Sequence, residues 1–460
     1  MEEAGGSTRR RAAPERDWTQ GSIVGNLWFL SWPMIVTSSL NIIGPTIDMI
    51  WVGKLGAASI AGVGVAGMAV QLVSMAKMGL VTGVRALVAR FVGAGDTESA
   101  NHVCQQAFVI SAGFSAAMVT IGIFLAEPIL RLLGVEPDVV TEGAAYMRIM
   151  FVGAAAMSFR MMSEGIMQAS GDAVTPMRVG IFFRFFHVAL CPFVIFGWWI
   201  FPRMGVSGAA MTNVISQSLG LALLLWILFT GRTRLQLTLR NFRLDFGIIW
   251  RAVKVGIPAA VMSMQMTIGN LVLMWIIVRF GTLAVAAHTI CQRVEGFVHM
   301  PSGGLGQAAG VLAGQNLGAG QPERAVRSGW LAMGLVEAVM VIGSVAILLW
   351  AESLVRVFNP EPGLVEVTSN FLRIATAGYL FFGIAIVVMQ CLNGAGDTIP
   401  PMIVALIMMW VFQLPLAYFL SQMTNLGVYG VRWAMVAGFV WAAVAAATYF
   451  RLGRWKRKRI

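Results

Sequence analysis

The 460-residue chain has 33 Lys and Arg against 21 Asp and Glu, a net charge of +12, yet only 12% of its residues are charged and 58% are hydrophobic. Soluble proteins have about 25% charged residues, so this chain has too few to cover a water-soluble globule of its size. The composition predicts a polytopic membrane protein and excludes a soluble domain, a disordered chain and a secreted disulfide scaffold.

Twelve apolar runs are long enough to cross a bilayer, which takes about 20 residues. They lack the alternation of period two that a membrane β-barrel would show, and this favours helices. In chain order the runs lie near residues 27–52, 57–82, 104–125, 141–168, 175–200, 205–229, 250–279, 282–312, 327–350, 367–393, 399–421 and 427–450. The predicted fold is therefore all-α, with twelve transmembrane helices.

Basic residues concentrate at the chain ends and in short connections between the runs. The densest connection is 230–254, and the last ten residues form a second basic cluster. The positive-inside rule then predicts a multi-pass protein of the cell membrane with both termini in the cytoplasm. The same placement argues against nucleic-acid binding and implies no partner protein, only membrane lipid and small organic substrates.

The two halves of the chain repeat each other at a fixed offset. Pro33 aligns with Pro258 and Gly79 with Gly304, and the same offset of 225 residues (258 − 33) continues into the fifth run. Each half contains six spans, an even number, so both halves enter from the same side as parallel repeats. A two-lobe carrier that works by alternating access is the favoured interpretation, and a duplicated scaffold without a transport role is the alternative.

The repeat divides the chain into five predicted segments. These are a polar cytoplasmic N-terminus (1–24), an N-lobe of helices 1–6 (25–229), a basic cytoplasmic linker (230–249), a C-lobe of helices 7–12 (250–450) and a basic cytoplasmic tail (451–460).

The first and fifth runs contain the leading candidates for cation or proton coupling. An ionisable residue inside a membrane span is costly and therefore a functional candidate. Asp48 follows Gly44-Pro45, which could break or bend the first helix, and its repeat counterpart is Leu273. Arg184 and His187 lie three residues apart on the fifth run, and His187 would share a proton with Asp48 if the two faced each other. The alternatives are an Asp48 hydrated at the outer end and a buried neutral His187 bonded to a backbone carbonyl.

A second polar pair, Arg160 and Glu164, lies four residues apart on the fourth run. This spacing allows the two side chains to neutralise each other within one helix. A structural role and a role in coupling are equally compatible with the sequence.

Polar residues of the second half are candidates for a substrate pathway. Gln265 lies on the seventh run, and Arg293, Glu295 and His299 lie on the eighth. An inner polar gate is the alternative. Glu337, on the ninth run, is too isolated in the sequence for a role to be assigned.

No pattern of catalytic or metal-ligating residues accompanies these candidates. The four His form no HExxH motif, no pair of Cys has CxxC spacing, and there is no phosphate-binding GxxxxGK[ST] loop. We therefore expect no enzyme activity, no metal and no cofactor other than H⁺ or Na⁺ as coupling ion. The four Cys are expected to be small apolar fillers.

Several stretches together resemble the multidrug and toxic compound extrusion (MATE) family over residues 25–450. The resemblance rests on Trp32-Pro33, on the stretch from Asp48 to Gly56, on Met300-Pro301 with residues 304–308, on residues 314–320 and on both Gly-Asp turns. It implies a V-shaped two-lobe antiporter that exports drugs and organic cations against H⁺ or Na⁺, in which Asp48 matches the family's first-helix aspartate.

Two departures bear on the coupling ion. The acids of the Na⁺-coupled NorM-like branch would fall near Met266 and Gly383, where this chain has none, so it resembles the DinF-like branch more closely. That branch commonly has Asn and Asp on the fifth helix, where this chain has His187 and Cys191. The His favours H⁺, with Na⁺-coupled export and a flippase for a lipid-linked or endogenous metabolite as alternatives.

Overall fold

The computed structural model of the chain describes residues 16–52, 54, 57–132, 137–238, 242–458 and 460. Parts of the predicted N-terminal segment 1–24, of the linker 230–249, of the tail 451–460 and of the stretch from Asp48 to Gly56 lie outside these residues. Throughout the described part the chain forms helices, turns and loops without a β-strand, as the all-α prediction requires.

The helices follow the twelve predicted runs in order. They are α1 (Ile23–Val52), α2 (Ala57–Gly93), α3 (Thr97–Leu132), α4 (Pro137–Val152), α5 (Ala154–Ser170), α6 (Val174–Phe196), α7 (Gly205–Phe229), α8 (Phe246–Val278), α9 (Thr282–Gly318), α10 (Pro322–Phe358), α11 (Pro362–Gly394), α12 (Ile399–Leu406), α13 (Leu414–Gln422) and α14 (Tyr429–Leu452). Among the described residues, nine stretches are long and apolar enough to cross a membrane.

Two of the twelve predicted spans are divided. The fourth consists of α4 and α5, which meet at Gly153, where the side chain of Val214 from α7 occupies the space a Cβ would need. The eleventh consists of α12 and α13 joined by a π-helical stretch, Ile407–Gln413. By contrast, α1 runs without interruption through Gly44-Pro45, so the break considered there does not occur.

The repeat seen in the sequence recurs in the contacts. Glu127 accepts a charged hydrogen bond from Arg148 at 3.2 Å, and its counterpart Glu352 accepts one from Arg373 at 3.1 Å. We call α1–α7 the N-lobe and α8–α14 the C-lobe. Two lobes with matching internal contacts fit a pseudo-two-fold arrangement, as predicted.

The lobes meet along helices that approach closely at glycines. A Cβ on Gly79 of α2 would lie 2.4 Å from Ala260 of α8, and one on Gly304 of α9 would lie 2.3 Å from Ile35 of α1. Gly304 and Ala260 are the repeat counterparts of Gly79 and Ile35. The interface is therefore isologous, with each lobe using the same surface against the other.

A second pair of contacts closes the end of the interface that lies nearest both chain termini, which we call the terminal side. A Cβ on Gly93 would lie 2.0 Å from the carbonyl oxygen of Gln315, and one on Gly318 would lie 2.0 Å from that of Arg90. These four residues are again repeat counterparts. The Gln315 side chain also donates to the Ala169 carbonyl across the lobes at 2.8 Å.

Both ends of the described chain pack on this closed side. The C-terminal segment lies between the lobes, because Arg90 of α2 donates to the Lys458 carbonyl at 3.0 Å while the Lys458 ammonium pairs with Asp397 at 3.3 Å. The Trp18 ring lies against Gly171, and Ile460 lies against Gly396, the counterpart of Gly171. The lobes are thus sealed on the terminal side.

Candidate functional site

The carboxylate of Asp48 lies inside the N-lobe, where α1 packs against α6. Its residue is only 6% exposed, so the alternative of an Asp hydrated at the outer end does not hold. Burial of an ionised carboxylate is costly unless donors surround it. The neighbours of Asp48 therefore decide what it can do.

Three groups surround this carboxylate. His187 Nε2 lies 3.0 Å from Oδ1, and the Cys191 thiol donates to the same oxygen at 3.6 Å. The Asn213 amide of α7 donates to Oδ2 at 3.5 Å. His187 is fully buried and faces Asp48, as the coupling hypothesis requires, while its Nε2–H is not aligned for a hydrogen bond with the carboxylate.

Arg184 determines the protonation of His187. Its Nη1 lies 3.1 Å from His187 Nδ1, and both side chains are buried. A guanidinium can only donate, so Nδ1 must accept and the ring proton must lie on Nε2, facing Asp48. A doubly protonated ring would direct its Nδ1–H against the guanidinium, so Arg184 favours the neutral imidazole.

This leaves Asp48 as the side chain of the cluster that could exchange a proton. When Asp48 is ionised, the Cys191 thiol and the Asn213 amide donate to it, the His187 ring lies beside it and the Arg184 charge lies behind the ring. When Asp48 is protonated, it is neutral and compatible with its buried position. The arrangement can hold two protonation states of one carboxyl group.

The same residues could in principle ligate a metal, because ligand atoms of Asp48, His187 and Cys191 lie within 4.8 Å of one another. A metal needs a lone pair on the imidazole nitrogen that it binds. Arg184 occupies the lone pair of Nδ1, which leaves the proton on Nε2. The donor set therefore fits a proton better than a transition metal.

The predicted pair Arg160–Glu164 forms on α5, with Nη1 2.6 Å from the carboxylate and both residues buried. Arg160 also donates to Gln217 of α7, and its guanidinium lies 4.8 Å from the centre of the Phe183 ring. Phe183 is the neighbour of Arg184, so this pair lies beside the Asp48 cluster. Its carboxylate is compensated by a permanent cation.

The C-lobe contains a buried ionic cluster that the sequence indicated only in part. Glu295 pairs with Arg432 of α14 at 3.0 Å, and Arg432 also contacts His288 Nδ1 at 2.9 Å. Arginine remains protonated in proteins, so Glu295 faces a fixed cation. Removing one partner of such a buried pair costs about 3–5 kcal/mol, which favours a structural role for Glu295.

The other C-lobe candidates do not join the ion pair of Glu295, although His299 interacts with Glu295 electrostatically. Arg293 is exposed and forms none of the contacts of Glu295. His299 stacks on Phe382 with ring centroids 4.0 Å apart, and both amide atoms of the buried Gln265 lack partners. Their assignment to a substrate pathway remains a prediction.

Sequence reasoning missed Arg432, His288 and Asn213 because each contacts its partner across more than 130 positions of the chain. Arg432 could have been found from its isolation within an apolar run. Cys191 was expected to be only a filler, and this was incomplete because its thiol donates to Asp48.

Comparison with known proteins identifies the family. The sequence profile of the MatE family matches this chain twice, over residues 33–193 and 258–419, once in each lobe. The chain belongs to the MATE family. Members of this family are membrane transporters, so the expectation that the chain is not an enzyme is confirmed.

Relatives of the MATE chain span nearly its whole length. It is 25% identical over 442 residues to a probable multidrug resistance protein NorM of Thermotoga maritima, covering 94% of this chain and 93% of the relative. It is 27% identical to the probable multidrug resistance protein YpnP of Bacillus subtilis, over 96% and 98% of the two chains. An FAD transporter of Shewanella oneidensis is 24% identical over 80% and 82%.

Solved structures of MATE transporters share the fold. An outward-facing multidrug resistance MATE transporter superposes with a TM-score of 0.90 at 23% identity, covering 96% of this chain and 98% of the other. A MOP superfamily transporter of Pyrococcus furiosus gives 0.89 at 23% identity, over 96% and 98%. The V-shaped two-lobe architecture is thereby confirmed.

Proposed function

We propose that this MATE protein is a secondary active antiporter that exports amphipathic or cationic organic compounds in exchange for protons by alternating access. The observation that carries the proposal is the buried carboxyl of Asp48, which faces the proton-bearing Nε2 of His187. The multidrug names of the relatives support the substrate class. The basic linker and tail support a cell-membrane location with both termini in the cytoplasm.

Na⁺ coupling is the second candidate, because Asp48 and the side-chain oxygen of Asn213 are hard oxygen ligands. Only two such side chains lie at the site among the contacts described, and the other neighbours are the His187 ring and the Cys191 thiol. This set favours H⁺ and is in keeping with the DinF-like branch. Export of a lipid-linked or endogenous metabolite remains an alternative, and the FAD transporter among the relatives is an example of metabolite transport.

The test uses purified protein in proteoliposomes with an imposed pH gradient and ethidium as an organic-cation probe. Ethidium movement should follow the pH gradient, and Asp48→Asn should abolish it because the amide cannot exchange a proton. Glu352→Asn, which changes a surface carboxylate, is the matched control. Movement driven by a Na⁺ gradient alone, or unchanged in Asp48→Asn, would contradict proton coupling.

A further inference from the structure

Glu337 is a half-buried intramembrane carboxyl whose environment differs from that of the buried acids Asp48, Glu164 and Glu295. It lies on α10, 15 residues after the helix begins at Pro322, or about 22 Å along the axis at 1.5 Å per residue. This places it in the middle of a membrane-spanning helix. An ionisable group there is expensive and needs an explanation.

No cation compensates Glu337. Within the described part of the chain, the carboxylates of Glu164 and Glu295 pair with arginines and that of Asp48 faces His187, whereas Glu337 forms no ion pair. Its Oε1 is buried without a hydrogen-bond partner. An ionised carboxylate without a compensating cation is unfavourable in a low-dielectric interior, so this environment suits a neutral, protonated carboxyl group.

The neighbouring helix is shaped to receive this carboxyl. A Cβ on Gly383 of α11 would lie 2.5 Å from Glu337 Oε1, so the side chain occupies space that only a glycine leaves free. The Ile384 backbone N–H lies beside the carboxyl group. Gly383 thus positions Glu337 against α11.

Two further buried polar atoms without partners belong to residues around the same stretch of α11. They are the Tyr379 hydroxyl, one helical turn before Gly383, and His299 Nε2. The His299 ring lies edge-on to Tyr379 at 5.2 Å and stacks on Phe382. Buried polar atoms without protein partners are commonly bridged by internal water. Three of them near one segment indicate a hydrated path in the C-lobe.

The other charged groups on α10 and on the helices that pack against it are paired, exposed or near a helix end. On α9, Glu295 is paired with Arg432 and Arg293 is exposed, and on α1, Asp48 faces His187. The remaining charges of α10 and α11 lie near the helix ends, at Glu323, Arg324, Arg327, Glu352, Arg356, Glu366 and Arg373. The polar groups without hydrogen-bond partners around this stretch of α11 are His299 and Tyr379, and both also interact electrostatically with Glu295.

We propose that Glu337 is a second proton-binding carboxyl, in the C-lobe, linked to His299 and Tyr379 by water and loaded separately from Asp48. The inference rests on the proposed proton coupling for its place in the transport cycle. Its protonation can nevertheless be measured without any substrate. One carboxyl in each lobe would allow two protons per exported molecule.

The first experiment is an infrared pH-difference spectrum of the full-length protein in lipid, recorded between about pH 5 and about pH 9, where buried carboxyl groups titrate outside the ordinary range. Wild type should show the C=O bands of buried carboxylic acids. Glu337→Gln should remove one of them, and Asp48→Asn should leave that band in place. Glu352→Gln, a surface acid of the same helix, should also leave it in place, and a spectrum of Glu337→Gln identical to wild type overturns the proposal.

The second experiment counts protons released when ethidium binds to the detergent-solubilised protein. Release should fall by about half in Glu337→Gln and in Asp48→Asn, and vanish in the double variant, as two separate sites require. Full release in Glu337→Gln overturns the C-lobe site. No release from wild type contradicts the proposed function instead, and the infrared bands then still decide whether Glu337 binds a proton.

Discussion

Arg184 controls the chemistry of the Asp48 cluster although it does not contact Asp48. By donating to His187 Nδ1 it leaves the ring proton on Nε2 and opposes a second ring proton. The repeat counterpart of Arg184 is Met409, so the fold accommodates an unbranched apolar side chain at this position. We therefore propose that the arginine is a positioning residue for the proposed proton exchange.

Replacing Arg184 with Met tests this role. Without the guanidinium, Nδ1 is free to bind a proton, so the ring proton is no longer fixed on Nε2. We expect the pH profile of ethidium transport to change in Arg184→Met. Arg178→Met, an exposed position of the same helix, is the control, and an unchanged profile in Arg184→Met would show that the arginine has only a structural role.

How much of the site could be predicted depends on how far apart in the sequence the contacting residues lie. Asp48, Arg184 and His187 could be predicted because a charge in an apolar run, without a charged repeat counterpart, is visible in the sequence. The contact of Arg184 with His187 rather than with Asp48 could not be predicted, because side-chain direction depends on how α1 and α6 pack. For the same reason Arg432 was not connected with Glu295, which lies 137 positions away.

At the scale of helices, the lobe interface depends on close backbone approach. Gly93 and Gly318 allow α2 and α9 to touch at the terminal side, where each would otherwise place a Cβ 2.0 Å from a backbone oxygen of the other helix. The sequence shows that the two glycines are repeat counterparts. Their interface role could not be predicted, because it requires knowing which helices face each other across the lobes.

Gly318→Ala should weaken this contact. The added methyl meets the Arg90 carbonyl, part of a helix backbone that cannot move aside, and such overpacking costs about 1–3 kcal/mol. Gly334→Ala on α10 is the control, because nothing lies within 4 Å of its Cβ position and helix propensity favours alanine. Thermal unfolding in detergent should show a lower midpoint for Gly318→Ala only, and equal midpoints would exclude a tight contact at this glycine.

At the scale of the whole molecule, the two lobes have the same fold and meet through an isologous interface, but their buried acids differ. Asp48 faces a neutral His187, whereas Glu295 faces the permanent charge of Arg432. A group that changes its charge can alter the balance between two arrangements of the lobes. A carboxylate whose charge is stabilised by a neighbouring arginine cannot do so as readily. Under the proposed proton coupling, we therefore expect the Asp48 cluster, rather than Glu295, to drive proton-dependent movement, with the terminal-side interface as the part that opens.

Spin labels at Ala94 and Ala319 would measure this opening directly. These repeat counterparts flank the Gly93–Gln315 and Gly318–Arg90 contacts, and the four native cysteines are buried, so labels would attach to cysteines introduced at the two alanines. The distance between the labels should be short when the terminal side is closed. A second, longer distance should gain population when pH is changed across the titration of Asp48, because protonation alters the balance between closed and open lobes. In Asp48→Asn, one of the two distances should be found at every pH. A distance that still depends on pH in this variant would place the switch at another residue, and Glu337 would be the first to examine.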